Sequence, residues 1–165
     1  MQNTSMTRSS FYHYFSGLDD LMVNLLSGFE QNVRDSVEGW LKGEVDDADY
    51  RQNAKTYLTA MYEAIEMQRT TMAAILQTAN SGSQVYQQWR ERVLEYFIEL
   101  TEAFIRREVN QGRSSVADPA RLANALILMN NAVSNENLQS VQPDPPDILA
   151  SVISDIWNAA IYGGT

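Results

Sequence analysis

The chain has 165 residues, 44% of them hydrophobic and 20% charged, the balance of one globular domain able to bury roughly 70% of the surface its unfolded chain exposes. Its formal net charge of −9 is the wrong sign for a surface that grips nucleic acid throughout, since that affinity rests on Lys and Arg releasing counterions from the phosphates. Cysteine is absent, which excludes disulfide and thiolate chemistry; no apolar run approaches the ~20 residues of a membrane span and no basic-then-apolar leader opens the chain, so a cytoplasmic protein without a membrane partner is expected.

In chain order, Thr7–Phe15 reads as a short helix, Ser16-Gly17 as a turn and Leu18 as the start of a long helix. Ser16 with Asp19 three residues later forms a capping-box pattern for that second helix. Phe11, Tyr14 and Phe15 are expected to pin the short helix inward. Thr7, Arg8, Ser9, Ser10, Tyr12 and His13 then divide between its exposed face and flanks, a set of hydroxyls, guanidinium, phenol and imidazole suited to phosphates and base edges. From Leu18, apolar residues step in threes and fours through Leu21, Met22, Leu25, Phe29, Val33, Val37 and Trp40-Leu41 to Gly43, the pattern of an amphipathic helix. Glu44–Asp49 is acidic but lacks the alternating ligands, central Gly and closing Glu of a calcium loop, so it is expected to be a solvated connector.

Tyr50 to Ile65 and Met72 to Ala79 continue the helical spacing, Asn80-Ser81-Gly82-Ser83 breaks it, and a further long helix runs from Val85 to a C-terminal cap at Gly112. Asp118-Pro119 supplies a capping acid and a proline at the first helical position. The helix it opens carries Leu122, Ala123, Ala125, Leu126, Ile127, Leu128 and Met129 around nearly its whole circumference, and the last helix, after Pro143–Pro146, has a broad stripe from Ile148 to Ile161. Such helices must be buried on more than one side. The fold class expected is all-α, with the last two helices pairing with their copies across a two-fold axis as a four-helix bundle.

For catalysis the inventory is thin. His13 is the sole imidazole, no nucleophile elbow or phosphate-cradling Gly loop occurs, and Glu95, Glu99 and Glu102 fall on the solvent face of a helix. No enzyme, metal site or cofactor is expected. Leu58, Met61 and Ile65 on one helix and Trp89, Val93 and Tyr96 on another read either as plain core or as walls of a small-molecule pocket, with Asn130 and Trp157 closing it. An amide inside an apolar helix needs a hydrogen-bond partner. Asn130 meets that need in the pocket or across the dimer interface, and Asn131 has the same two choices.

Thr7–Leu21, Leu128-Met129-Asn130 and Ile156-Trp157-Asn158-Ala159-Ala160-Ile161-Tyr162-Gly163 together resemble the recognition helix and last two helices of TetR-family transcriptional regulators, nearest to the ethionamide-resistance-repressor-like subgroup. Asn131-Ala132 stands where that subgroup has Glu-Arg, and Leu18 where the family usually has Lys. The resemblance implies a TetR-like helical bundle: residues 1–17 as the remnant of a helix-turn-helix head, incomplete because two helices normally precede the recognition helix (7–15), and 18–165 as the ligand-binding and dimerisation domain. It implies DNA contact through Thr7, Arg8, Ser9, Ser10, Tyr12 and His13, and an elongated apolar tunnel with its polar contact at Asn130 and its end wall at Trp157. The function expected of the intact protein is that of a one-component repressor, homodimeric, whose hold on operator DNA is controlled by a small apolar or amphipathic ligand. The alternative is a dimeric small-molecule-binding protein without DNA binding, its head truncated.

Overall fold

The computed structural model describes residues 7–80 and 82–163, without the side chains of Phe11, Tyr14 and Phe15. The inward pinning expected of those three aromatics, and Ser81 of the predicted turn, therefore lie outside the described residues. The described elements are six α-helices: α1 (Arg8–Lys42), α2 (Tyr50–Met67), α3 (Arg69–Ala79), α4 (Gln84–Asn110), α5 (Pro119–Gln139) and α6 (Pro146–Tyr162). The chain belongs to the all-α class anticipated from its spacing.

Their ends follow local chemistry. Asp49, Ser83 and Asp118 each accept a hydrogen bond from a backbone N–H three residues on, at Gln52, Tyr86 and Arg121, which satisfies donors left unpaired in a first helical turn. Pro119 and Pro146 occupy the first helical turn of α5 and α6, where a missing N–H costs nothing. Gly43 ends α1 at φ 77°. A Cβ there would also stand 2.9 Å from the Arg107 guanidinium carbon, so both conformation and space favour glycine.

The first helix departs from expectation. Instead of a short helix, a turn at Ser16-Gly17 and a new start at Leu18, α1 runs unbroken from Arg8 to Lys42, and its cap is Thr7, whose hydroxyl accepts from Ser10 N–H. Ser16 and Gly17 cost a helix interior only ~0.5–1 kcal/mol each, while extending a formed helix adds one backbone bond per residue. Nothing lies within 4 Å of where a Gly17 Cβ would stand, so no tertiary contact enforces a turn. The predicted apolar stripe is likewise covered over only part of its length. Val37, Trp40 and Leu41 are buried, Met22, Phe29 and Val33 are partly buried against them, and Leu18, Leu21 and Leu25 are exposed. Leu26, one position off the predicted stripe, is fully buried.

Packing is organised by α1, which lies against α2 and α4, while α2 packs on α6 and α4 on α5. Trp40 stands where these pairs meet: its ring stacks on Tyr57 and lies 5.2 Å from Phe104 and 5.7 Å from Trp157, centre to centre. Beyond it, Glu108 is buried at 1% exposure. Its carboxylate accepts two 2.8 Å bonds from Arg113 and one of 3.0 Å from the Tyr162 hydroxyl, and Arg113 reaches Asp47 at 2.6 Å. A buried charge persists only when paired in this way. Arg107 donates to the Leu41 carbonyl, so the C-terminal end of α1 is clamped to α4. Leu128 of α5 and Ile148, Val152 and Ile156 of α6 are 41–56% exposed. Spaced four apart, the three α6 residues form one outward stripe.

Candidate functional site

A cavity lies among α1, α2, α4 and α5, with Met72 of α3 and Trp157 of α6 also in its wall. The space open to water centres is about 120 Å³. At the ~10–15 Å³ of such space that one water needs, it holds roughly ten non-hydrogen atoms. Its wall is overwhelmingly apolar. Phe29, Val33, Val37, Trp40 and Leu41 come from α1, Leu58, Met61 and Ile65 from α2, and Trp89, Val93, Leu94 and Phe97 from α4. All three tryptophans of the chain, Trp40, Trp89 and Trp157, line it.

Eight residues singled out from spacing and resemblance therefore converge on one space: Leu58, Met61, Ile65, Trp89, Val93, Asn130, Asn131 and Trp157. Tyr96 does not. Its hydroxyl donates a short hydrogen bond to Glu38, and the Arg34 guanidinium sits 3.5 Å above its ring centre, so it binds α4 to α1 outside the cavity. Burial foremost, and then the hydrogen bond to the Glu38 carboxylate, push the Tyr96 hydroxyl pKa up. Phe97 takes the expected position in the wall. Neighbouring residues on a helix point ~100° apart, and α4 has apolar contacts on two sides, so its spacing alone does not choose between them.

The deep end is organised by one hydrogen bond. The Trp157 indole N–H donates to Asn130 Oδ1 at 3.2 Å, both residues being buried. Indole is a donor only, which fixes the amide's orientation, with Oδ1 toward Trp157 and the NH₂ as its remaining polar group on the cavity wall. The partner that Asn130 requires is thus within its own chain. Asn131, half-buried, lines the cavity one position on.

Trp89 ties the wall to α1. Its indole N–H donates to Glu30 Oε2 at 3.1 Å, and Glu30 is held by Arg34 at 2.7 Å and Arg92 at 3.3 Å. Phe29 and Tyr86 flank its ring at 6.1 and 5.7 Å.

A second group of polar residues escaped the sequence reading: Arg90 on α4 and Ser134 and Asn135 on α5. Ser134 lies one helical turn from Asn130, and Arg90 one turn from Tyr86, which are the signals that could have found them. Near them, the Tyr62 hydroxyl is buried without a hydrogen bond of good geometry, Ser134 being its polar neighbour, and burial pushes its pKa up to about 12. Burial also raises Tyr86, with Arg90 and Asn135 opposing.

The residues expected to touch DNA are elsewhere. Thr7, Arg8, Ser9, Ser10, Tyr12 and His13 are all exposed and occupy the start of α1, its first two turns rather than a separate helix. Arg8 lies 6.0 Å from the Tyr12 ring centre. No group of three or more metal-ligating side chains occurs among the described residues, and no described helix is long and apolar enough to cross a membrane.

No curated protein matches the chain. The family model for the C-terminal domain of the transcriptional regulator EthR matches residues 54–163, which is two thirds of the chain and takes in the cavity walls of α2 to α6. That match, over two thirds of the chain, shows the family: the chain belongs to the EthR-like subgroup of TetR-type transcriptional regulators.

Proposed function

We propose that this regulator is a homodimeric, cytoplasmic repressor whose hold on operator DNA is released by a small apolar or amphipathic ligand bound in the cavity. The observation that carries the reading is the cavity's construction. A largely apolar space of about 120 Å³ is walled on one side by α1, the same helix whose first turns bear the candidate DNA contacts. Small-molecule sites are mostly apolar with few, well-placed polar groups, and the NH₂ of Asn130 is such a group. An occupant pressing on Phe29, Val33 or Trp89 acts directly on α1, whose C-terminal end is held by Arg107 through the Leu41 carbonyl. Displacement is therefore expected at the N-terminal end. The ligand acts only as far as it binds the displaced state better than the DNA-competent one.

Dimerisation is supported by the outward stripe Ile148, Val152 and Ile156 with Leu128, an apolar surface that one chain leaves in water. An isologous pairing covers it on both copies at once. Two N-terminal ends then face successive major grooves, about 34 Å apart. The test pairs binding with release. A ligand found by tryptophan fluorescence is added to the regulator's complex with promoter DNA, and the shifted band should be lost in step with cavity occupancy. Saturating ligand that leaves the complex intact would remove the regulatory half of the proposal.

A further inference from the structure

The polar groups in the cavity wall are not scattered. Tyr86 and Asn135 are neighbours across the seam between α4 and α5, which run antiparallel through the short connection at 111–118. One turn along each helix from that pair come Arg90 and Asn131, and Ser134 adjoins Asn135. Arg90, Asn131, Ser134 and Asn135 are half-buried, whereas Tyr86, Asn130 and Trp157 are buried. The cavity thus has an apolar, enclosed end at Trp157 and a polar, partly open flank at the seam.

Arg90 is the unusual member. The chain carries 21 acidic and 12 basic residues, so an arginine has no shortage of partners. Every other arginine among the described residues is engaged by a carboxylate, a carbonyl or an aromatic ring, as Arg34 is by Glu30, Arg69 by Glu66 and Arg113 by Glu108. Among the described residues Arg90 makes no hydrogen bond or ion pair, and it lines the cavity. A guanidinium with its fork unoccupied, in the wall of an apolar space that two amides and a hydroxyl also line, presents the donor set that holds a carboxylate. A single positive group balances a monoanion, and a dianion would leave one charge uncompensated in a partly buried site.

We propose that the cavity takes a monocarboxylate amphiphile, its carboxylate on Arg90 with Asn131, Ser134 and Asn135, and its hydrocarbon chain directed toward Trp157. This rests on the cavity being a ligand site and adds the chemical class of the ligand. Room for roughly ten non-hydrogen atoms matches an eight-carbon acid.

The test uses three probes of one length: octanoate, 1-octanol and octylamine, each titrated into the full chain and followed by fluorescence of the three wall tryptophans. Octanoate should bind at least 10-fold more tightly than 1-octanol, and octylamine more weakly than either. In Arg90→Met, which keeps the length and apolar stem, octanoate should fall to the level of 1-octanol or below. The 1-octanol affinity should stay within about threefold, which also shows that the variant is folded. Arg90→Gln should behave as Arg90→Met does. If octanoate shows no advantage over 1-octanol, or keeps its advantage in Arg90→Met, the carboxylate assignment is wrong although the cavity still binds. If none of the three probes perturbs the tryptophans, the ligand site itself fails and this assignment goes with it.

Discussion

Val93→Phe separates a ligand cavity from an ordinary core, because the two demand opposite signs. Val93 sits on α4 in the cavity wall, partly buried. The exchange adds about four non-hydrogen atoms, ~50 Å³ at the space one water takes, out of about 120 Å³. Cavity volume in protein interiors costs ~24 cal/mol per Å³, so filling this fraction should stabilise the chain by about 1 kcal/mol and raise Tm by ~2–4 °C. The same ring forced into a close-packed core would instead cost ~1–3 kcal/mol through strained rotamers. Thermal melts followed by circular dichroism give the first readout, and titration with 1-octanol followed by tryptophan fluorescence gives the second. The expected pair is a higher Tm with binding weakened at least ~10-fold, because the remaining ~70 Å³ takes only some six atoms. A lower Tm combined with unchanged 1-octanol binding would refute the reasoning.

Four further outcomes follow from the geometry. Asn130→Leu orphans the Trp157 indole N–H, a buried donor, and should cost ~1–3 kcal/mol in urea unfolding; an unchanged midpoint would mean that the 3.2 Å bond contributes nothing. Glu108→Gln weakens a buried carboxylate's hold on Arg113, which keeps 22% of its side chain in solvent. A loss of about 3 kcal/mol, the low end for a broken buried pair, should lower Tm by ~6–12 °C, and a shift under 2 °C (roughly the effect of a surface exchange) would contradict the clamp. Val152→Asp places a charge in the outward stripe of α6 and should turn a sedimenting dimer into a monomer; a dimer that persists would move the interface elsewhere. Lys42 and then Tyr96 lower the pKa of Glu38, Arg113 lowers that of Asp47, and Arg69 lowers that of Glu66. Acids depressed in the folded state contribute stability that is present above about pH 4.5 and lost as pH falls through their folded values. Tm should therefore hold flat from pH 8 to 6 as far as these groups are concerned and decline below pH 4.5; a Tm unchanged at pH 3 would show these contacts to be without weight.

What the sequence by itself determined were the features that depend on residues close together in the chain. The cap at Asp118, the stop at Gly43 and the five helices after α1 follow from neighbouring groups, and an amphipathic period declares itself over a few turns. Helical spacing, with the resemblance carried by Leu128–Asn130 and Ile156–Gly163, also brought eight wall residues together. Tertiary structure decided the rest. Whether Ser16-Gly17 breaks a helix depends on what packs there, and nothing among the described residues does. Tyr96 and Phe97 are equally apolar in pattern, and only the position of Glu38 and Arg34 on α1 draws Tyr96 out of the cavity. The Glu108–Arg113–Tyr162 knot joins α4 to the end of α6, and Arg90 shares the cavity wall with Asn131 and Asn135 only because α4 packs on α5. A charge's partner is chosen by proximity in space, and no local spacing rule encodes that.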